Sequence, residues 1–122
     1  MYTLFERGVF LKGLIIKKYW LEKIFYENKI WEIRGSNTKI RGRIFLIESG
    51  SGHIVGECEI IDSILLSEEE YLTNTKNHKI NTNDIKYPYK KTYAWVIKNA
   101  FKYEKPVPYK HPQGAVIWVN IV

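Results

Sequence analysis

The sequence predicts an α+β domain, mainly β: a small barrel of about five to six strands flanked by two or three short helices. Three observations predict it. Strand formers (Ile, Val, Tyr, Trp, Thr) are abundant, while Ala and Leu are modest. Several strand-like runs carry apolar residues on both faces, and a closed or nearly closed sheet covers both while removing free edges. Finally, 122 residues with 45% hydrophobic content suit one domain whose core needs no staples.

The elements follow in order. Residues 1–11 open with no clear period and are an N-terminal extension of unknown role; residues 12–122 form the single domain. "LKGLII" reads as a short buried strand. "KKYWLEKIFYENK" is an amphipathic helix, with Leu21, Ile24 and Phe25 at helical spacing. "IWEIR" has strand composition, and Gly35, Ser36 and Asn37 break it. "RIFLIES" and "HIVGECEIID" are two strands joined by "GSG", a hairpin signal. Gly56 marks a bulge or a close backbone approach. Simple alternation puts Val55, Glu57, Glu59 and Ile61 on one face and Ile54, Cys58 and Ile60 on the other.

"LSEEEYL" starts a helix through a capping box, Ser67 as cap and Glu70 three residues on. The polar stretch 74–91 reads as a surface excursion, with at most a helical turn near Asp84–Lys86. "TYAWVIKNAFKY" is a long strand bulged near Asn99. "EKPVPYKHPQG" is a Pro-rich connection, and "AVIWVNIV" a final strand.

The formal net charge is +6, which suits a partner carrying phosphates. The single cysteine, Cys58, permits no intrachain disulfide and fits a reducing, cytoplasmic setting as a small buried residue. No run reaches membrane-spanning length, so no membrane partner is expected. His53, His78 and His111 lack metal-ligand spacing, and neither a P-loop nor a dinucleotide fingerprint occurs. No metal and no cofactor is expected.

The chemistry concentrates in "ENKIWEIRGSNTKIRGR", Glu27 to Arg43. A carboxylate stands there inside a basic run. Two readings are open: a solvated strand end, or a prearranged pocket for a phosphate or nucleobase. Glu32 and Arg34 are two apart and share a strand face, where they can pair and hold the planar guanidinium fork. Ser36, Asn37 and Thr38 offer hydroxyl and backbone N–H groups after Gly35, or form an ordinary turn. Lys39, Arg41 and Arg43 are further candidates to steer a nucleic-acid backbone, or form a solvated strand end. Trp31, Trp95 and Trp118 read as core, whereas Tyr103 and Tyr109 flank the Pro-rich connection and are better placed to stack a base.

The run Glu27-Asn28-Lys29-Ile30-Trp31-Glu32-Ile33-Arg34 resembles the G-x-K-x-x-E-x-R signature of the ASCH domain family, one of the PUA-like barrels. Lys29, Glu32 and Arg34 match, and Glu27 stands where the family has glycine. The resemblance extends from about Lys12 to the C-terminus through the opening strand, the hairpin and the closing strands. It implies a PUA-like β-barrel with a cleft lined by the three matching residues, Lys29 lying in the helix-to-strand turn. It also implies action on RNA or nucleotides. One group of relatives removes acetyl groups from acetylated cytidine with a lysine, a threonine and a glutamate. By resemblance these fall on Lys29, on Glu32 (which has no hydroxyl) and on Glu59.

The leading expectation is a module binding RNA or a nucleotide, with Lys29, Arg34 and Glu32 in contact. The alternative is a metal-independent hydrolase, an acylated-cytidine amidohydrolase or a ribonuclease, with Lys29, Glu32 and Glu59 catalytic. A third reading is a protein-interaction adaptor working through residues 74–91.

Overall fold

The structure, a computed structural model, describes residues 11–121, so most of the N-terminal extension lies outside the described residues. Six strands and three short helices follow one another as β1 (Lys12–Ile16), α1 (Lys18–Tyr26), β2 (Trp31–Arg34), β3 (Gly42–Glu48), β4 (His53–Leu66), α2 (Glu68–Leu72), α3 (Thr75–His78), β5 (Thr92–Pro108) and β6 (Trp118–Asn120). Among the described residues no helix is long and apolar enough to cross a membrane.

The sheet order is β2-β5-β4-β3-β1-β6. β1 and β3 run parallel and the other pairs antiparallel. The expected barrel is not closed, because β2 and β6 do not pair with each other. Both are short, four and three residues, and offer little backbone to bond. Side chains span the seam instead. Trp95 of β5 stacks on Trp118 of β6 at 5.7 Å, and Arg34 of β2 reaches the Ile15 carbonyl of β1 at 3.1 Å.

The main core holds Leu14, Ile16, Leu21, Ile24, Leu46, Cys58 and Trp95. α1 closes it with the apolar stripe that its sequence predicts. Gly56 does both things its position suggests. The β4–β5 register shifts between Ile54 and Gly56, and a Cβ on Gly56 would stand 2.4 Å from the Phe101 carbonyl and 2.7 Å from the Phe25 ring. The bulge overturns simple alternation. Val55 joins the core face with Cys58, while Ile54 joins the opposite face with Phe45 and Ile47. Burial pushes the Cys58 thiol up to about 12, reinforced by Glu32, Glu57 and Glu59.

Two further expectations change. β5 runs on through "EKPVP" to Pro108, so that part is strand, not connection. β2 pairs β5 only along Tyr93–Val96, so Pro106 and Pro108 sit where one edge of β5 is free and the missing N–H costs nothing. The excursion carries the single turn expected near Asp84, where Ile85 N–H donates to the Asn81 carbonyl at 3.0 Å, and also α3 at Thr75–His78, which was not expected. The capping box of α2 forms as read: Glu70 N–H donates to Ser67 Oγ at 3.0 Å, and Ser67 N–H to Glu70 Oε1 at 2.8 Å.

Candidate functional site

The site begins where α1 ends. Asn28 adopts a left-handed conformation (φ 57°), and Lys29 N–H returns to the Lys23 carbonyl at 3.1 Å. Asparagine is among the few residues that enter this region readily. Glu27, which stands at the glycine position of the signature, has an ordinary negative φ, and the left-handed residue is the next one, Asn28.

The reversal sends Lys29 inward, where it is 2% exposed. Its Nζ donates to the Trp31 carbonyl at 2.7 Å and the His78 carbonyl at 2.6 Å. It stands 3.7 Å from Glu32 Oε1 and 4.8 Å from the centre of the Trp20 ring. Burial pulls its pKa down to about 8, and Glu32 works against that pull. Lys29 therefore stays protonated at neutral pH.

α3 supplies one of these acceptors because His78 is locked. Ile80 N–H donates to His78 Nδ1 at 3.0 Å, which leaves the proton on Nε2, and Nε2 donates to the Tyr71 carbonyl at 2.8 Å. The ring stacks on Tyr71 with centroids 4.6 Å apart. Burial, chiefly, lowers the pKa of His78 and favours this neutral form.

Glu32 and Arg34 pair on one strand face, as their spacing predicts. Glu32 Oε2 accepts from Arg34 Nε at 2.9 Å and lies 2.8 Å from its second nitrogen, Nη2. Nη2 also donates to the Ile15 carbonyl, and the guanidinium lies 5.4 Å from the Trp95 ring centre. Among the described residues Nη1 has no hydrogen-bond partner, so one nitrogen of the fork is left to donate.

These three side chains line a cleft of about 340 Å³ at the open seam of the sheet. Its walls include Ile15, Lys17, Trp20 and Ser49 on one side of the chain order, and Ile80, Ile85, Pro88 and Tyr89 from the polar excursion. Sequence reading singled out none of these wall residues. The signal was present in isolated apolar residues, Ile80, Ile85 and Tyr89, set in an otherwise polar stretch.

The other expected site residues lie elsewhere. Ser36 is exposed, and its carbonyl accepts from Trp95 Nε1 at 2.9 Å; Asn37 is exposed beside it. Thr38 is buried, its Oγ1 accepting from Ile40 N–H and its carbonyl from Arg41. Arg41 also faces Asp62 at 3.8 Å, so it clamps its own loop. Tyr103 donates a short hydrogen bond to Glu57, which pairs with Arg43 at 2.8 Å. Glu59 sits opposite Arg43 on β3, accepts from Asn99 and does not line the cleft. The structure gathers Lys29, Glu32 and Arg34, and leaves Ser36, Asn37, Thr38, Arg41, Glu59 and Tyr103 outside.

A mixed sheet crossed by one short helix, with a Lys–Glu–Arg cluster at its open seam, defines a small α+β domain with a charged cleft. The ASCH domain family matches residues 14–107, and the chain belongs to that family. Among solved structures it is similar to ASCH from Zymomonas mobilis, at 9% identity and a TM-score of 0.69, covering 91% of this chain and 87% of that one. Two point mutants of that protein match alike. Both are 10% identical over 91% of this chain, with TM-scores of 0.68 and 0.69 and 87% and 89% of their own lengths covered. At such identity the likeness shows the fold. No curated protein matches the chain.

Proposed function

We propose that the seam cleft binds a nucleotide, free or as one unit of single-stranded RNA. The observation that carries this reading is Arg34, held by Glu32 and the Ile15 carbonyl with Nη1 left to donate, in the lining of a hollow large enough for a base and its sugar. Arg34 Nη1 donates to phosphate or base, and Glu32 accepts from an exocyclic amine. Lys29 keeps the floor positive without contacting solvent. Exposed Lys17 lines the cleft, and Lys79, Lys86 and Lys90 adjoin the wall residues Ile80, Ile85 and Tyr89 in the chain. With a net charge of +6, these lysines suit a phosphate backbone.

Titrating a mixed-sequence single-stranded RNA across salt concentrations tests the reading. Affinity is expected to fall steeply with salt and to collapse in Arg34→Gln. Absent or salt-independent binding of the RNA, together with no binding of a mononucleotide, would overturn it.

A hydrolytic role has one supporting observation, the lowered pKa of Lys29. Weighing against it, the ammonium donates to two backbone carbonyls, and Glu59 lies off the cleft. Incubation with acylated cytidines and short RNAs, comparing wild type with Lys29→Ala, decides it. Turnover that vanishes in the variant would favour catalysis.

A further inference from the structure

Tyr89 is unusual among the cleft's walls. It is a large aromatic side chain left 43% exposed, yet it is tightly held. Its N–H donates to Thr92 Oγ1 at 3.3 Å, and the same hydroxyl donates back to the Tyr89 carbonyl at 3.1 Å. Thr92 itself is fully buried. The loop leading in is pinned twice more: Tyr71 Oη donates to the Ile85 carbonyl at 2.7 Å, and Tyr87 Oη to the Leu66 carbonyl at 2.6 Å. The ring rests on Gly35, the residue after Arg34. A Cβ there would stand 2.7, 3.0 and 3.3 Å from three adjacent ring atoms. Gly35 has no positive φ, so backbone conformation does not demand glycine at this position. Close approach of the ring does.

An exposed aromatic on a pinned loop, lining the same cleft as Arg34, has the makings of a stacking surface. Fixing the ring in advance removes the entropy that a free tyrosine would lose on binding. We infer that Tyr89, seated on Gly35, is the platform on which the cleft stacks a planar base, and that these two residues restrict its ligands to unstacked nucleobases. This rests on the nucleotide reading above and adds a specificity determinant to it. A duplex, whose bases are already stacked, is refused; a loop, an end or a free nucleotide is accepted. Gly35 acts as a positioning residue through Tyr89.

The test is calorimetric titration with AMP, CMP, GMP and UMP, and with ribose 5-phosphate as a probe without a base. Wild type is expected to bind at least one nucleotide more tightly than ribose 5-phosphate. Tyr89→Phe should keep that affinity within about twofold, and Tyr89→Leu should lose about tenfold or more, since stacking is sequence-tolerant but substantial. Gly35→Ala should weaken nucleotide binding with no change for ribose 5-phosphate. Should Gly35→Ala fail to fold, the Phe and Leu variants decide alone. If wild type binds a nucleotide and Tyr89→Leu binds it equally well, the platform is wrong while the nucleotide reading stands. If wild type binds neither a mononucleotide nor the single-stranded RNA, both fall.

Discussion

One sheet carries a buried carboxylate on each of its faces, and the two are used differently. Glu32 shares a face with its cross-strand partner Trp95, in the main core. Glu57 shares the other face with Phe45 and Tyr103, in the second core cluster. Each acid meets a cation and a second donor: Glu32 has Arg34 and Lys29, Glu57 has Arg43 and Tyr103. The Glu57 group lies across three neighbouring strands inside the sheet, β3, β4 and β5, so its members close on one another. The Glu32 group lies at the seam, where backbone pairing stops and a hollow of about 340 Å³ remains. Similar residue types thus make a structural cross-brace in one place and an open recognition edge in the other. What separates them is the location of the gap in the sheet.

The largest expected effect tests whether Lys29 belongs to the structure as much as to the site. Lys29→Met strips the donor from two buried carbonyls and a partner from Glu32, and should cost about 3 kcal/mol in urea unfolding. A loss below about 1 kcal/mol would show that the ammonium does not anchor α3 to β2.

The next effect concerns pH. Lys29 has its folded pKa near 8 against an ordinary 10.5. Between these values the unfolded chain binds more protons, so this contribution to stability is complete above 10.5 and lost as pH falls to about 8. The stability of wild type minus that of Lys29→Met should therefore rise by about 2 kcal/mol from pH 7 to pH 10. Tyrosine and cysteine ionisation occurs in both proteins and cancels in the difference. A flat difference would mean that Lys29 is solvated.

The third contrast sets one arginine against the other. Arg34→Gln should weaken RNA binding about tenfold or more, as loss of a charge-assisted fork does, while Arg43→Gln should leave it within about twofold. Equal losses would mean that both faces serve only as general positive charge. The smallest effect is Glu57→Gln, which keeps an acceptor for Tyr103 and should cost about 1 kcal/mol with RNA binding unchanged.

The parts of the fold legible in the sequence are those decided locally. The β3–β4 hairpin followed from its Gly-Ser-Gly turn, the start of α2 from Ser67 and Glu70, and the α1 stripe from Leu21 and Ile24. Gly56 and Asn99 marked irregularities, and Asn99 does take a positive φ of 53°. What was hidden is decided by partners distant in the chain. Pro106 and Pro108 read as a connection because their tolerance depends on β2 ending early. α3 read as coil because its polar sequence is held by His78, whose burial rests on Tyr71 and Ile80. At the site, Lys29, Glu32 and Arg34 were visible as a motif. Glu59 was assigned through resemblance, and β4 turns it to the face opposite Glu32. The wall from Tyr89 depends on how the excursion folds back onto Gly35, which spacing does not encode.

The chain's lone thiol has a practical consequence. Cys58 is 2% exposed and holds its proton up to about 12, so alkylating reagents at neutral pH will find almost no thiolate there. The wild-type protein is in effect cysteine-blank. A single thiol introduced at exposed Ser36 or Asn37 would take a dye alone, giving an optical probe next to Arg34 without first deleting a native residue.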